Sequence, residues 1–112
     1  MDRTSLERTI AEHLDAADLR AAAEEAVRGY GGEIAGYLLA LLREESAADE
    51  VFARVCEKLW RGLPGFRRQS SLRTWLYRLA WNAARDYRKE RELAPVRALR
   101  TGEISRLARA AG

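Results

Sequence analysis

Cysteine and histidine are almost absent from this chain: Cys56 and His13 are the single examples in 112 residues. One cysteine cannot close an internal disulfide, and one Cys with one His falls short of a zinc ligand set. No metal and no cofactor is therefore expected. Cys56 lies within an amphipathic pattern and reads as a small core filler. His13, between Glu12 and Asp15, reads as a solvated side chain. Long apolar runs are missing too, and no stretch approaches the ~20 residues of a membrane helix. The start, Met1-Asp2-Arg3-Thr4-Ser5, lacks the charged-then-apolar layout of a signal peptide. A cytoplasmic protein without membrane contact is expected. Also lacking are a nucleophile–base pair, a phosphate-cradling glycine loop and any Ser/His/Asp set at a recognisable spacing. These absences argue against an enzyme.

What is present is the composition of an ordinary globule, 47% hydrophobic and 33% charged. A chain of this length makes one domain, and a domain of this size buries roughly two-thirds of its unfolded surface. The net charge of +3 conceals an uneven distribution. Residues 1–50 hold 12 acidic and 5 basic side chains, a net −7, whereas residues 51–112 hold 5 and 15, a net +10. Such asymmetry suggests an acidic scaffold or partner face joined to a polyanion-binding face.

Periodicity predicts an all-α fold, a compact bundle of about four principal helices, with no strand alternation and no internal repeat. The first segment spans about Ser5 to Gly29, interrupted near His13–Asp15, where Asp15 is a candidate cap. Leu19, Ala22, Ala23, Ala26, Val27 and Tyr30 lie at helical spacing before Gly29-Tyr30-Gly31-Gly32 ends the segment. Ile34, Tyr37, Leu38, Leu41 and Leu42 then follow i, i+3, i+4, i+7, i+8, one apolar helix face. Ser46-Ala47-Ala48-Asp49 has the layout of a capping box with Asp in place of Glu. It opens a third helix with Ala48, Phe52, Val55, Leu59 and Trp60 inward, ending at Gly62-Leu63-Pro64-Gly65. After a basic, irregular connection, Ser70 or Ser71 caps a fourth helix from Leu72 to about Glu92, and Pro95 follows its end. The expected organisation is a helical domain over 1–92 and a linker or short basic helix over 93–112, helical near 103–110.

The fourth helix carries the strongest functional signal. Leu72, Trp75, Leu76, Leu79, Ala80, Ala83 and Tyr87 form one apolar stripe, which should be core. The rest of its surface holds Tyr77, Arg78, Trp81, Asn82, Arg85, Arg88 and Lys89. Between Leu63 and Arg91 there are 8 basic and 2 acidic residues, a local +6. One reading packs Trp81 on the N-terminal helices or on arginine stems. The other makes the surface a platform where aromatic rings stack on unpaired bases and arginines meet phosphates. Asn82 offers both a donor and an acceptor to a base edge.

These residues also carry a resemblance. Trp60-Arg61-Gly62-Leu63-Pro64-Gly65-Phe66-Arg67, Ser70-Ser71-Leu72-Arg73-Thr74-Trp75-Leu76-Tyr77-Arg78-Leu79-Ala80, Asn82 and Asp86-Tyr87-Arg88 resemble conserved region two of bacterial extracytoplasmic-function sigma factors. The match extends weakly back to about Glu25. It implies a domain that directs core RNA polymerase to promoters. It docks on the clamp helices of the largest subunit and captures the single-stranded nontemplate strand of the minus-ten element. The loop Phe66–Ser71 corresponds to the family's base-holding loop, Asn82 to a promoter-recognition residue and Trp75 to a tryptophan linked to melting. The DNA-binding set implied is Phe66, Arg67, Arg68, Ser70, Ser71 and Arg73, with Tyr77, Arg78, Trp81, Asn82, Arg85 and Arg88. The polymerase-binding set implied is Glu50, Ala53, Arg54, Glu57 and Lys58 on the polar side of the third helix. Departures are Ala53 and Arg54, where the family carries Gln and an acid, and Trp81, where it more often carries Arg. No helix-turn-helix region four is legible after the linker. The alternative is a sigma-like interaction protein that binds an anti-sigma factor without opening promoters. A monomer is expected in either case.

Overall fold

The computed structural model describes residues 2–98, 106 and 108, with backbone only at 96–98. Four α-helices follow one another: α1 (Arg3–Asp15), α2 (Leu19–Leu42), α3 (Glu45–Gly62) and α4 (Leu72–Ala98), with a 3₁₀ turn at Leu63–Gly65. There is no strand among the described residues. Helix α2 packs against each of the other three. Ile10, Ala22, Ala26, Ile34, Leu38, Val51, Leu59, Leu63, Leu72 and Ala80 are almost completely buried in the shared core.

The cap at the start of α2 is Asp18, which accepts from the Ala21 amide at 3.1 Å; Asp15, the expected cap, instead ends α1. Helix α1 closes with Asp18 N–H bonded to the His13 carbonyl and Ala17 N–H to the Leu14 carbonyl. This paired pattern normally places glycine where Ala17 sits at φ 58°. The expected break at Gly29–Gly32 does not occur, and α2 runs straight through it. Each glycine costs a helix interior about 1 kcal/mol, but Tyr30 and Ile34 are both buried there, and their packing prevails. Gly29 has a packing role: a Cβ built on it would sit 2.2 Å from Leu6 Cδ2, so its bareness lets α1 approach α2.

The start of α3 also departs from expectation. Its N-cap is Glu44, which makes no side-chain cap bond, and Ser46 Oγ donates to Glu44 Oε1 instead of capping. Ala47 and Ala48 are both buried, so packing sets this first turn. Val51, Val55 and Leu59 point inward, whereas Trp60, expected inside, is 52% exposed. In α4 the predicted stripe is core: Leu72, Leu76, Ala80, Ala83 and Tyr87 are buried, with Trp75 and Leu79 packed at its margin. The helix passes the end expected near Glu92 and contains Pro95. Of the expected 103–110 helix, only Arg106 and Ala108 are described, both helical. No described helix is long and apolar enough to cross a membrane.

Candidate nucleic-acid interface

The first turn of α4 is assembled from two distant parts of the chain. Ser71 Oγ accepts from the Thr74 amide at 3.1 Å, the local cap that the serine pair predicts. Two more of the orphan N–H groups, those of Leu72 and Arg73, donate to the Glu7 carboxylate at 2.8 and 3.2 Å. A carboxylate here also complements the positive end of the helix dipole. The Tyr30 hydroxyl donates to the same carboxylate. Burial first, then the hydrogen bond to Glu7, pushes the Tyr30 hydroxyl well above the usual phenol range. Residues of α1 and α2 thus fix where α4 begins and where the preceding loop must end.

The expected DNA-binding residues separate into several environments. On the side of α4 facing α2, Arg73 pairs with Glu33, and the Tyr77 hydroxyl donates to the same carboxylate at 3.1 Å. The Tyr77 ring meets Tyr37 edge-on at 4.9 Å and lies under the Arg73 guanidinium. Burial, followed by Glu33, raises the Tyr77 hydroxyl above its ordinary value. Arg88 donates to the Leu41 carbonyl in the last turn of α2, where that helix leaves carbonyls without helical partners. These three side chains are engaged in holding α4 to α2.

The outer face of α4 is different. Arg78, Trp81, Asn82, Arg85 and Lys89 are all exposed. Trp81 is 49% exposed, with Leu41 of α2 lining the depression beside it and an arginine against its ring. The Arg85 guanidinium lies 5.2 Å from its ring centroid, and Arg85 has one loose contact, 3.6 Å, with Asp86. Arg78 and Lys89 have no ion pair among the described residues. This face sets a half-exposed indole beside cations, a ring that can stack on a base and charges that can meet phosphates.

Beside this face, the loop from Phe66 to Ser71 runs between two depressions. One, about 230 Å³, is lined by Gly65, Phe66, Arg67, Gln69, Ser70, Trp75 and Arg78. The other, about 280 Å³, separates the loop from α1. Phe66 anchors the loop by packing on Trp75, ring centroids 4.9 Å apart. The Trp75 ring also lies close over Gly62, where an added Cβ would be 3.2 Å from it. Gln69, inside the expected base-holding loop but not in the named DNA-binding set, also lines the α4-side pocket. Arg68 turns the opposite way: it pairs with Asp15 at 2.8 Å and donates to the Ala11 carbonyl at 3.1 Å. Its backbone has φ 58°, a left-handed conformation that costs a non-glycine residue roughly 1–2 kcal/mol.

The expected polymerase-binding residues share the outer side of α3. Glu50, Ala53, Glu57 and Lys58 are exposed, and Arg54 is half-buried. Arg54 bridges Glu90 of α4 at 2.9 Å and Glu50 at 3.4 Å, and its guanidinium lies 5.4 Å from the Tyr87 ring centroid. Glu57 pairs with Arg61 at 2.8 Å. The Cys56 thiol, half-buried in the α2–α3 groove, has its pKa raised by burial. Among the described residues no cluster of His, Cys, Asp and Glu is arranged to hold a metal ion.

No curated protein and no solved structure matches the chain. The family model for sigma-70 region 2 matches residues 26–93. The matched segment contains α2 from Ala26 onward, α3, the loop and the whole outer face of α4, and it leaves α1 and the first turns of α2 outside. The chain belongs to the sigma-70 region 2 family.

Proposed function

We propose that this domain holds the melted nontemplate strand of a promoter minus-ten element on the outer face of α4, with loop 66–71 closing over one unpaired base. Family membership supplies the coarser part, a sigma-factor role in promoter recognition. The observation that carries the finer part is Trp81, half exposed beside Arg85 on a face that also presents Arg78 and Lys89. Stacking on such a ring contributes about 1–3 kcal/mol per base. Asn82, on the same face, is the residue suited to reading a base edge, since a ring face accepts every base. The pocket between Arg67, Gln69, Trp75 and Arg78 is the receptacle for the base turned out of the strand.

In the same reading, the outer side of α3 docks on the clamp helices of core RNA polymerase. One observation favours the alternative, a sigma-like protein that occupies an anti-sigma factor. Arg54 is held by two glutamates within the molecule and is not presented to a partner. Pull-down of core polymerase by the domain, followed by titration of short nontemplate oligonucleotides in single-stranded and duplex form, separates the two. Retention of polymerase and preference for the single strand is the expected result. Failure to retain polymerase at micromolar concentration would favour the interaction protein.

A further inference from the structure

The loop that closes over a base in the proposed function does not stand alone. Side chains along it alternate: Arg67 and Gln69 line the pocket next to α4, while Arg68 lines the cleft next to α1. Across that cleft Arg68 reaches the last turn of α1, pairing with Asp15 and donating to the Ala11 carbonyl. A cation at this end of a helix also meets the negative pole of its dipole. Arg68 makes these contacts from a left-handed backbone conformation, φ 58°, at the point where the loop side chains change from one pocket to the other. At the far end of the loop, Glu7 of the same helix fixes the first amides of α4. Helix α1 therefore braces the loop at its middle and at its α4 end, although it lies outside the segment that matches the family model.

We infer that Asp15 and Arg68 are positioning residues that set the base-holding loop, and that Arg68 is a strut to α1 and not a phosphate contact. The inference rests on the loop reading above and adds to it a role for α1. The two roles of Arg68 make opposite predictions for Asp15→Asn. If Arg68 contacts phosphate, removing the neighbouring acid frees a cation, and binding of every oligonucleotide strengthens with a steeper salt dependence. If Arg68 is a strut, the same change loosens the loop, and discrimination between bases at the captured position falls. Exposed ion pairs are weak, so a fall of about two- to fivefold is expected.

The test is made with the whole chain and core polymerase on short nontemplate oligonucleotides varied at one base, comparing wild type, Asp15→Asn, Asp15→Glu and Arg68→Ala. Asp15 is exposed and outside the core, so its variants fold. The strut predicts that Asp15→Asn and Arg68→Ala lose base preference alike with little change in salt slope. It also predicts that Asp15→Glu keeps the preference, and that Asp15→Asn speeds hydrogen exchange of the loop amides without DNA. Tighter binding by Asp15→Asn, or a base preference equal to wild type in both Asp15→Asn and Arg68→Ala, would overturn the strut alone. A wild-type protein with no base preference would overturn the loop reading and the strut with it.

Discussion

Helices α3 and α4 both present a charged outer face, and the two faces handle their charges in opposite ways. On α3, Arg54 is taken up by Glu50 and Glu90 and Arg61 by Glu57, which leaves Lys58 as the one cation without an ion pair among the described residues of that face. On α4, Arg78 and Lys89 have no ion pair among the described residues, Arg85 has only a 3.6 Å contact, and an indole lies open among them. The count of charges in the sequence does not distinguish these faces; the number left without a partner does. A largely self-neutralised face produces little field beyond the roughly 10 Å over which salt screens it. An unneutralised one attracts phosphate from solution.

The largest effect should come from the residue beneath both faces. Leu76 is 3% exposed and touches the core shared with α2 and α3. Leu76→Ala should lower stability by about 2–5 kcal/mol, as for other buried leucines, and lower both faces' activities together. Urea unfolding checks it, and a variant as stable as wild type would overturn the packing described.

Arg78→Ala should next separate the faces. Removing one phosphate contact should weaken binding to all single strands alike and flatten the log–log salt slope by about 0.7. Titration at several salt concentrations measures this, and an unchanged slope would mean that Arg78 makes no phosphate contact. Arg54→Ala removes two ion pairs and a ring contact, so a stability loss of about 1 kcal/mol is expected, with oligonucleotide affinity unchanged. Smallest of all is Arg61→Ala, where an exposed i,i+4 pair contributes about 0.3–0.5 kcal/mol. If either α3 variant weakens DNA binding as much as Arg78→Ala, the contrast between the faces fails.

Periodicity made the all-helical class, α3, α4 and the apolar stripe of α4 legible, because these follow from spacing within a single element, whereas the division between the first two helices was misplaced at the glycines. It also identified Arg78, Trp81, Asn82 and Arg85 as a surface, since whatever lies opposite a complete stripe must face outward. What spacing could not give was the tertiary pairing. Arg54 with Glu90, Arg68 with Asp15 and Glu7 with the amides of α4 join residues 36 to 66 positions apart. For the same reason Arg73, Tyr77 and Arg88, identical in kind to their open neighbours, could not be seen to face α2. Local signals were overridden where burial opposed them: the Gly29–Gly32 segment stays helical because Tyr30 and Ile34 are buried. Trp60 shows the reverse, an apolar residue near the helical phase of the core that packing leaves outside.

The central claim, that the open face of α4 holds unpaired promoter DNA, meets its most direct test in two substitutions on that face. Affinity and base preference of Trp81→Ala and Asn82→Ala should be compared with wild type, on single-stranded nontemplate oligonucleotides with core polymerase present. Trp81→Ala should bind about 1–3 kcal/mol more weakly with its salt slope nearly unchanged, because a stacked ring carries no charge. Asn82→Ala should keep most of its affinity for other sequences and lose the advantage of the preferred one, because the amide reads an edge. If both folded variants match wild type in affinity and in preference, the outer face of α4 is not the DNA site.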